Sequence, residues 1–157
     1  MVVSVTGRVE AIHVTASAGE PMASVPHVRA IAGTGLEGDR YATGAGHWSA
    51  IRRSGDSLTL VEAEVVETIA GGGGPELAPG ATRRNITTRG IRLDDLIGSR
   101  FRIGQVECLA VRRCEPCSYL DGLLGEEVLA HLVHRAGIRA DILTDGTIAV
   151  GDAIERA

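Results

Sequence analysis

Cys114-Glu115-Pro116-Cys117 places two of the three cysteines three residues apart, directly after Arg112 and Arg113. The thiolate is the nucleophilic and metal-binding form of cysteine, and a neighbouring guanidinium lowers a thiol's pKa. The stretch is therefore a candidate for covalent sulfur chemistry or for holding a soft metal. Pro116 cannot donate to a sheet ladder. A strand starting at Gln105 should end near Glu115 and leave Cys117 on a turn at a barrel rim. Arg112 and Arg113 favour the thiolate there, and Glu115 opposes it. Cys114 offers a second sulfur, so which of the two reacts stays open on the sequence. Cys108, between Val106 and Ala110 on one strand face, reads as a small core residue.

Two other uses of the cysteine pair compete. Cys114-x2-Cys117 is followed, after thirteen residues, by His131-x2-His134, close to a structural zinc pattern but with the histidines one residue too near. A thioredoxin-like dithiol would need the first cysteine at a helix N-terminus inside a βαβ unit, whereas this pair follows a strand.

Arg83-Arg84-Asn85-Ile86-Thr87-Thr88 is a second candidate segment. Arginine offers bidentate donors to phosphate, and Asn and Thr add polar contacts. Strand alternation would set Asn85 and Thr87 on one face and Arg84, Ile86 and Thr88 on the other. Gly33-x-Gly35-x-x-Gly38 fits the dinucleotide fingerprint formally, but no hydrophobic parallel strand precedes it and no helix follows. The polar run Glu37-Gly38-Asp39-Arg40-Tyr41 instead suggests a loop shaped around polar contacts.

The elements that must position these residues are short. Val2–Val5 and Gly7–Val14 read as one long or bent strand with a bulge at Gly7. Further strands are expected at His27–Ile31, Ser57–Val61, Asn85–Thr88, Arg100–Ile103 and Gln105–Arg112. Another two, Arg139–Thr144 and Thr147–Val150, are joined by Asp145-Gly146 as a hairpin. Glu62–Ala70 has helical spacing, ended by the glycine run at 71–74 and Pro75. Leu93–Gly98 reads as a helical turn. Glu126–Ala136 is the clearest helix, with Gly137 as its C-cap. Many short strands and two modest helices predict a mainly β (α+β) fold, a barrel-like single domain over residues 1–157.

Composition narrows the function classes. Apolar residues make up 44% of the 157, but aromatics only 3%, so the core is aliphatic. A net charge of −4 gives no bulk support for nucleic-acid or anionic-membrane binding. All sixteen basic residues are Arg. Without Lys there is no pyridoxal-phosphate (PLP) Schiff base and no P-loop lysine within this chain. No secretory signal or membrane-spanning run stands out, so a soluble cytoplasmic protein with reduced thiols is expected.

Taken in order, the segments Gly35–Tyr41, Arg84–Thr88, Leu96–Gly104, Cys114–Leu120, His134–Ala140 and Gly146–Asp152 resemble the MOSC domain. This module occurs at the C-terminus of molybdenum-cofactor sulfurases and as a stand-alone bacterial protein. The resemblance implies a distorted β-barrel with a few short helices, and a functional cysteine at Cys117. That cysteine would carry sulfur as a persulfide or ligate molybdenum in a pterin cofactor. Arg84, Asn85, Thr87, Arg113, Asp39 and Arg40 become the expected cofactor contacts, with Cys117 and Cys114 as the reactive sulfurs. A sulfurase's PLP domain and the N-terminal β-rich segment of amidoxime-reducing relatives have no counterpart here. Sulfur would then come from a cysteine desulfurase or pass to a molybdoenzyme partner. Three functions stay in view: sulfur transfer or cofactor-dependent reduction, a non-catalytic partner-binding module, and a small zinc protein built on Cys114, Cys117, His131 and His134.

Overall fold

The computed structural model describes residues 6–16, 21–39, 55–71, 82–114 and 137–157, the last three residues of the helix as backbone only. The expected strand at Val2–Val5, the helix at Glu126–Ala136, Arg40, Cys117, His131 and His134 lie outside the described residues.

Seven strands close into a barrel. In ring order they are β1 (Gly7–Val14), β11 (Ala153–Arg156), β7 (Arg100–Ile103), β8 (Val106–Arg113), β9 (Ile138–Ile142), β5 (Leu58–Glu62) and β6 (Ile86–Arg89), which returns to β1. All neighbours run antiparallel except β5 and β6. A parallel pair needs a crossover connection, and helix α1 (Ala63–Gly71) lies on that path. The two-residue β2 (Ala23–Ser24) extends the sheet beyond β1. A second sheet, in the order β10 (Gly146–Ala149), β3 (His27–Ile31) and β4 (Gly35–Leu36), adds Ile148, Val28, Ala30 and Leu36 to the same core.

Alternation fills the interior. Val106, Cys108 and Ala110 point inward from β8, and Ile138, Ala140 and Ile142 from β9. The only Phe in the chain, Phe101, is fully buried among them. Leu58, Leu60, Ile86 and Ile12 complete the far wall. The 3-10 turn Leu93–Leu96 packs its two leucines into the core.

Three expectations need correction. The bulge in β1 is at Glu10, between Val9 (opposite Thr88) and Ala11 (opposite Thr87), not at Gly7. The extra residue is held by Arg89, whose Nε and Nη2 donate to the two Glu10 carboxylate oxygens at 2.5 and 3.0 Å. Gly7 is required for close approach instead: a Cβ there would lie 2.5 Å from Ile91 Cγ2. Secondly, β9 and β10 do not form a hairpin. β9 pairs with β8 and β5, while β10 crosses to β3. Asp145 serves that crossing, accepting from the Ala32 N–H at 2.8 Å. Thirdly, Asn85 precedes β6 rather than starting it.

Candidate functional site

A seven-stranded barrel packed with aliphatic side chains has no room for a ligand inside. Any site must lie at a rim or on the outer wall. One part of that wall is unusual because its polar groups are buried. Leu58, Leu60 and Ile12 face inward, so Thr59 and His13 leave β5 and β1 on the opposite side. Thr59 and His13 are 0% and 3% exposed.

Asn85 binds the strands together there. Its Oδ1 accepts from Thr59 N and Oγ1, both at 3.1 Å, and its Nδ2 donates to His13 O at 3.2 Å. Its backbone N–H donates to Thr59 Oγ1 at 3.0 Å, and its carbonyl accepts from His13 N at 2.7 Å. A side chain expected to touch a cofactor is thus occupied in joining β1, β5 and the entry to β6.

Arg84 reaches the cysteine segment. It is buried, and its Nη2 donates to the Cys114 carbonyl at 3.1 Å, thirty residues away in sequence. The Cys114 N–H donates to Gly137 O at 2.8 Å. The first residue of the Cys-x-x-Cys motif is therefore fixed on both sides. Next to Arg84, Arg83 is the one described non-glycine residue with a positive φ, 60°. Strained backbone of this kind clusters at functional sites. Two consecutive buried arginines thus precede β6, and the second of them reaches Cys114.

The other expected contacts are placed elsewhere. Arg113 is half exposed and donates to Asp94 at 3.1 Å, while Arg112 faces Asp56 at 3.4 Å. Each arginine expected to stabilise a thiolate from β8 thus faces a carboxylate, and Arg84 is the guanidinium bonded to the Cys114 carbonyl. Asp39 is fully buried and accepts from Thr15 N at 3.1 Å, tying the loop after β4 to the end of β1. Thr87 is half-buried and pairs with Ala11 and Val61. Cys114 itself is buried, at 2% exposure. Burial, with Asp141 and Glu107 nearby, pushes the Cys108 thiol up to about 12, so the reading of Cys108 as a core residue holds.

Sequence reasoning passed over Thr59 and His13, and it weighed Arg83 only as part of the Arg83–Thr88 segment. The available signal was a histidine in the apolar run Ala11-Ile12-His13-Val14.

A closed β-barrel that fastens an Arg-Arg-Asn segment to a cysteine at the end of β8 defines the class. The chain belongs to the MOSC domain family, whose model matches residues 52–155. No match emerged among curated proteins. Among solved structures, YuaD of Bacillus subtilis is similar at a TM-score of 0.80 and 20% identity, covering 99% of this chain and 98% of that one. YiiM of Geobacillus stearothermophilus gives 0.73 at 15% identity, covering 96% and 75%. YiiM of Escherichia coli gives 0.66 at 18%, covering 96% and 69%. At these identities the likeness extends to the fold. No described helix is long and apolar enough to cross a membrane.

Proposed function

We propose that this protein handles sulfur or molybdenum cofactor, with Cys117 as the persulfide carrier or molybdenum ligand. The observation carrying this reading is the Arg84 guanidinium on the Cys114 carbonyl. It brings the Arg83-Arg84 segment before β6 to Cys114, three residues ahead of Cys117 in the sequence. A guanidinium close to a cysteine favours its thiolate. A soft thiolate suits both a sulfane sulfur and molybdenum. The donor set fits a pterin cofactor that carries phosphate, since buried arginine is the side chain of choice for phosphate.

Bound cofactor would supply a redox metal ligated by Cys117. The chain's own residues hold the site. Arg84 holds Cys114, and Asn85, next to Arg84, locks the chain there to β1 and β5. In sulfur transfer, the Cys117 thiolate attacks the outer sulfur of a donor persulfide. A new S–S bond forms to Cys117, the donor's S–S bond breaks, and the donor leaves as thiolate. These 157 residues hold no lysine for PLP, so a cysteine desulfurase is the donor and a molybdoenzyme the acceptor.

Intact mass spectrometry with elemental analysis tests this. The wild type is expected to gain about 32 Da after incubation with a desulfurase and cysteine, or to purify with molybdenum and pterin. Cys117→Ser should lose the gain or the metal. A wild type that stays unmodified and metal-free, while both forms recover the same protein partner, would make this a binding module instead. About one zinc per chain would favour a structural-zinc protein.

A further inference from the structure

His13 is buried, at 3% exposure, and neither ring nitrogen has a hydrogen-bond partner. Sulfur or cofactor handling at Cys117 makes no use of it. Its backbone is a fastening between strands. The His13 N–H donates to Asn85 O at 2.7 Å, and the His13 carbonyl accepts from Asn85 Nδ2 at 3.2 Å. On the other side of β1 lies β2, two exposed residues long, with Ser24 opposite His13. The Val25 N–H donates to Ile12 O at 3.0 Å and continues that edge.

A neutral imidazole has one N–H donor, and an imidazolium has two. Neither would find an acceptor at the buried ring, and burial lowers the pKa of His13. The residues joined to His13 from the adjoining elements, Asn85 before β6 and Ser24 on β2, are neutral. Thr59, which Asn85 ties in from β5, is neutral as well. The carboxylates near this end of β1 are engaged: Asp39 accepts the Thr15 N–H, and Glu10 accepts from Arg89. Arg83 and Arg84, on the chain that enters β6, carry the same sign as an imidazolium.

A short edge strand with few contacts opens at lower cost than a closed barrel. Once released, the ring meets water and titrates near the ordinary value of about 6.5. The open form thus takes up a proton that the closed form refuses. Acid therefore favours opening as the pH falls through about 6.5, and the effect vanishes above neutrality.

We propose that His13 is an acid-sensitive latch: its protonation releases β2 and the end of β1 from the barrel wall and uncovers the Asn85 lock, whose chain neighbour Arg84 holds Cys114. The latch works whatever the cysteine carries.

Native-state hydrogen exchange of the wild type and His13→Phe, corrected for intrinsic exchange rates, tests it. In the wild type, the opening constants of the residue 13 and Val25 amides are expected to rise about tenfold from about pH 7.5 to about 5.5, as for one proton bound on opening. The Ala110 amide, bonded to Ser99 O across the barrel, should not change. In His13→Phe the first two should stay flat. A wild type without the rise, an equal rise in His13→Phe, or a rise shared by Ala110 overturns the latch. If His13→Phe does not fold, the His13 ring 15N shifts of the wild type decide. A ring that stays neutral in the closed form down to about pH 5.5 supports the latch, and one that titrates in place near about 6.5 overturns it.

Discussion

Gly137→Ala is expected to unfold the protein or to cost more than about 4 kcal/mol in a urea titration, at the extreme of single substitutions. A Cβ at this position would stand 1.7 Å from the Leu60 carbonyl oxygen and 2.8 Å from its carbon. Both are backbone atoms of a central strand, so nothing can rotate aside. The residue's φ of +98° adds strain for any L side chain. The effect reaches the site because Gly137 O accepts the Cys114 N–H. Gly151→Ala is the matched control. Its φ is +95°, but nothing lies within 4 Å of the added carbon. It should cost only about 1–2 kcal/mol, the penalty for left-handed backbone alone. Similar losses for the two variants would contradict the packing of β9 against β5.

Asn85→Ala has the second largest expected effect. It deletes the acceptor of Thr59 N and Oγ1 and the donor to His13 O, all in a place water does not reach. Each buried group left without its partner costs about 1–3 kcal/mol, so a total near 3–5 kcal/mol is expected. That is a large share of the roughly 5–15 kcal/mol that stabilises an ordinary domain. Thr87→Ala, two residues on but half-buried, should cost less than about 1 kcal/mol. A double-mutant cycle with Thr59→Ala sharpens the test. Asn85 and Thr59 bond each other, so the double variant should be milder than the sum by about 1–3 kcal/mol. Additive losses would mean that the two do not act as one lock.

Most strands were legible because the barrel has one clear inside. Val106, Cys108 and Ala110 alternate with half-buried residues, and period two is a strand's own signature. His27–Ile31 and Arg100–Ile103 match their expected bounds for the same reason. Asp145-Gly146 misled because a turn dipeptide reports local backbone only. It says nothing of whether the next strand returns to its predecessor or crosses to β3. The last strand, Ala153–Arg156, went unseen: it has a single β-branched residue, and it exists because β7 and β1 close around it.

For the site, residue type was readable and partnership was not. Arg84 and Cys114 were both suspected, but their link runs through a backbone carbonyl, which leaves no trace in side-chain identity. Asn85 shows the converse. Its amide was assigned to a cofactor, whereas the entry to β6 needed it between two strands. Arg112 and Arg113 looked like thiolate supports because their partners, Asp56 and Asp94, are distant in sequence.

The claim on which the functional reading turns is an ionised, reachable thiol at Cys117, and the pH dependence of alkylation in the native protein measures it directly. Iodoacetamide labelling, read peptide by peptide, should give Cys117 a midpoint below the free-cysteine value of about 8.5. Over the same range Cys108, buried and pushed up to about 12, should stay unlabelled and serve as the internal standard. A Cys117 that titrates at or above the free value, or labels no faster than Cys108, would contradict the account.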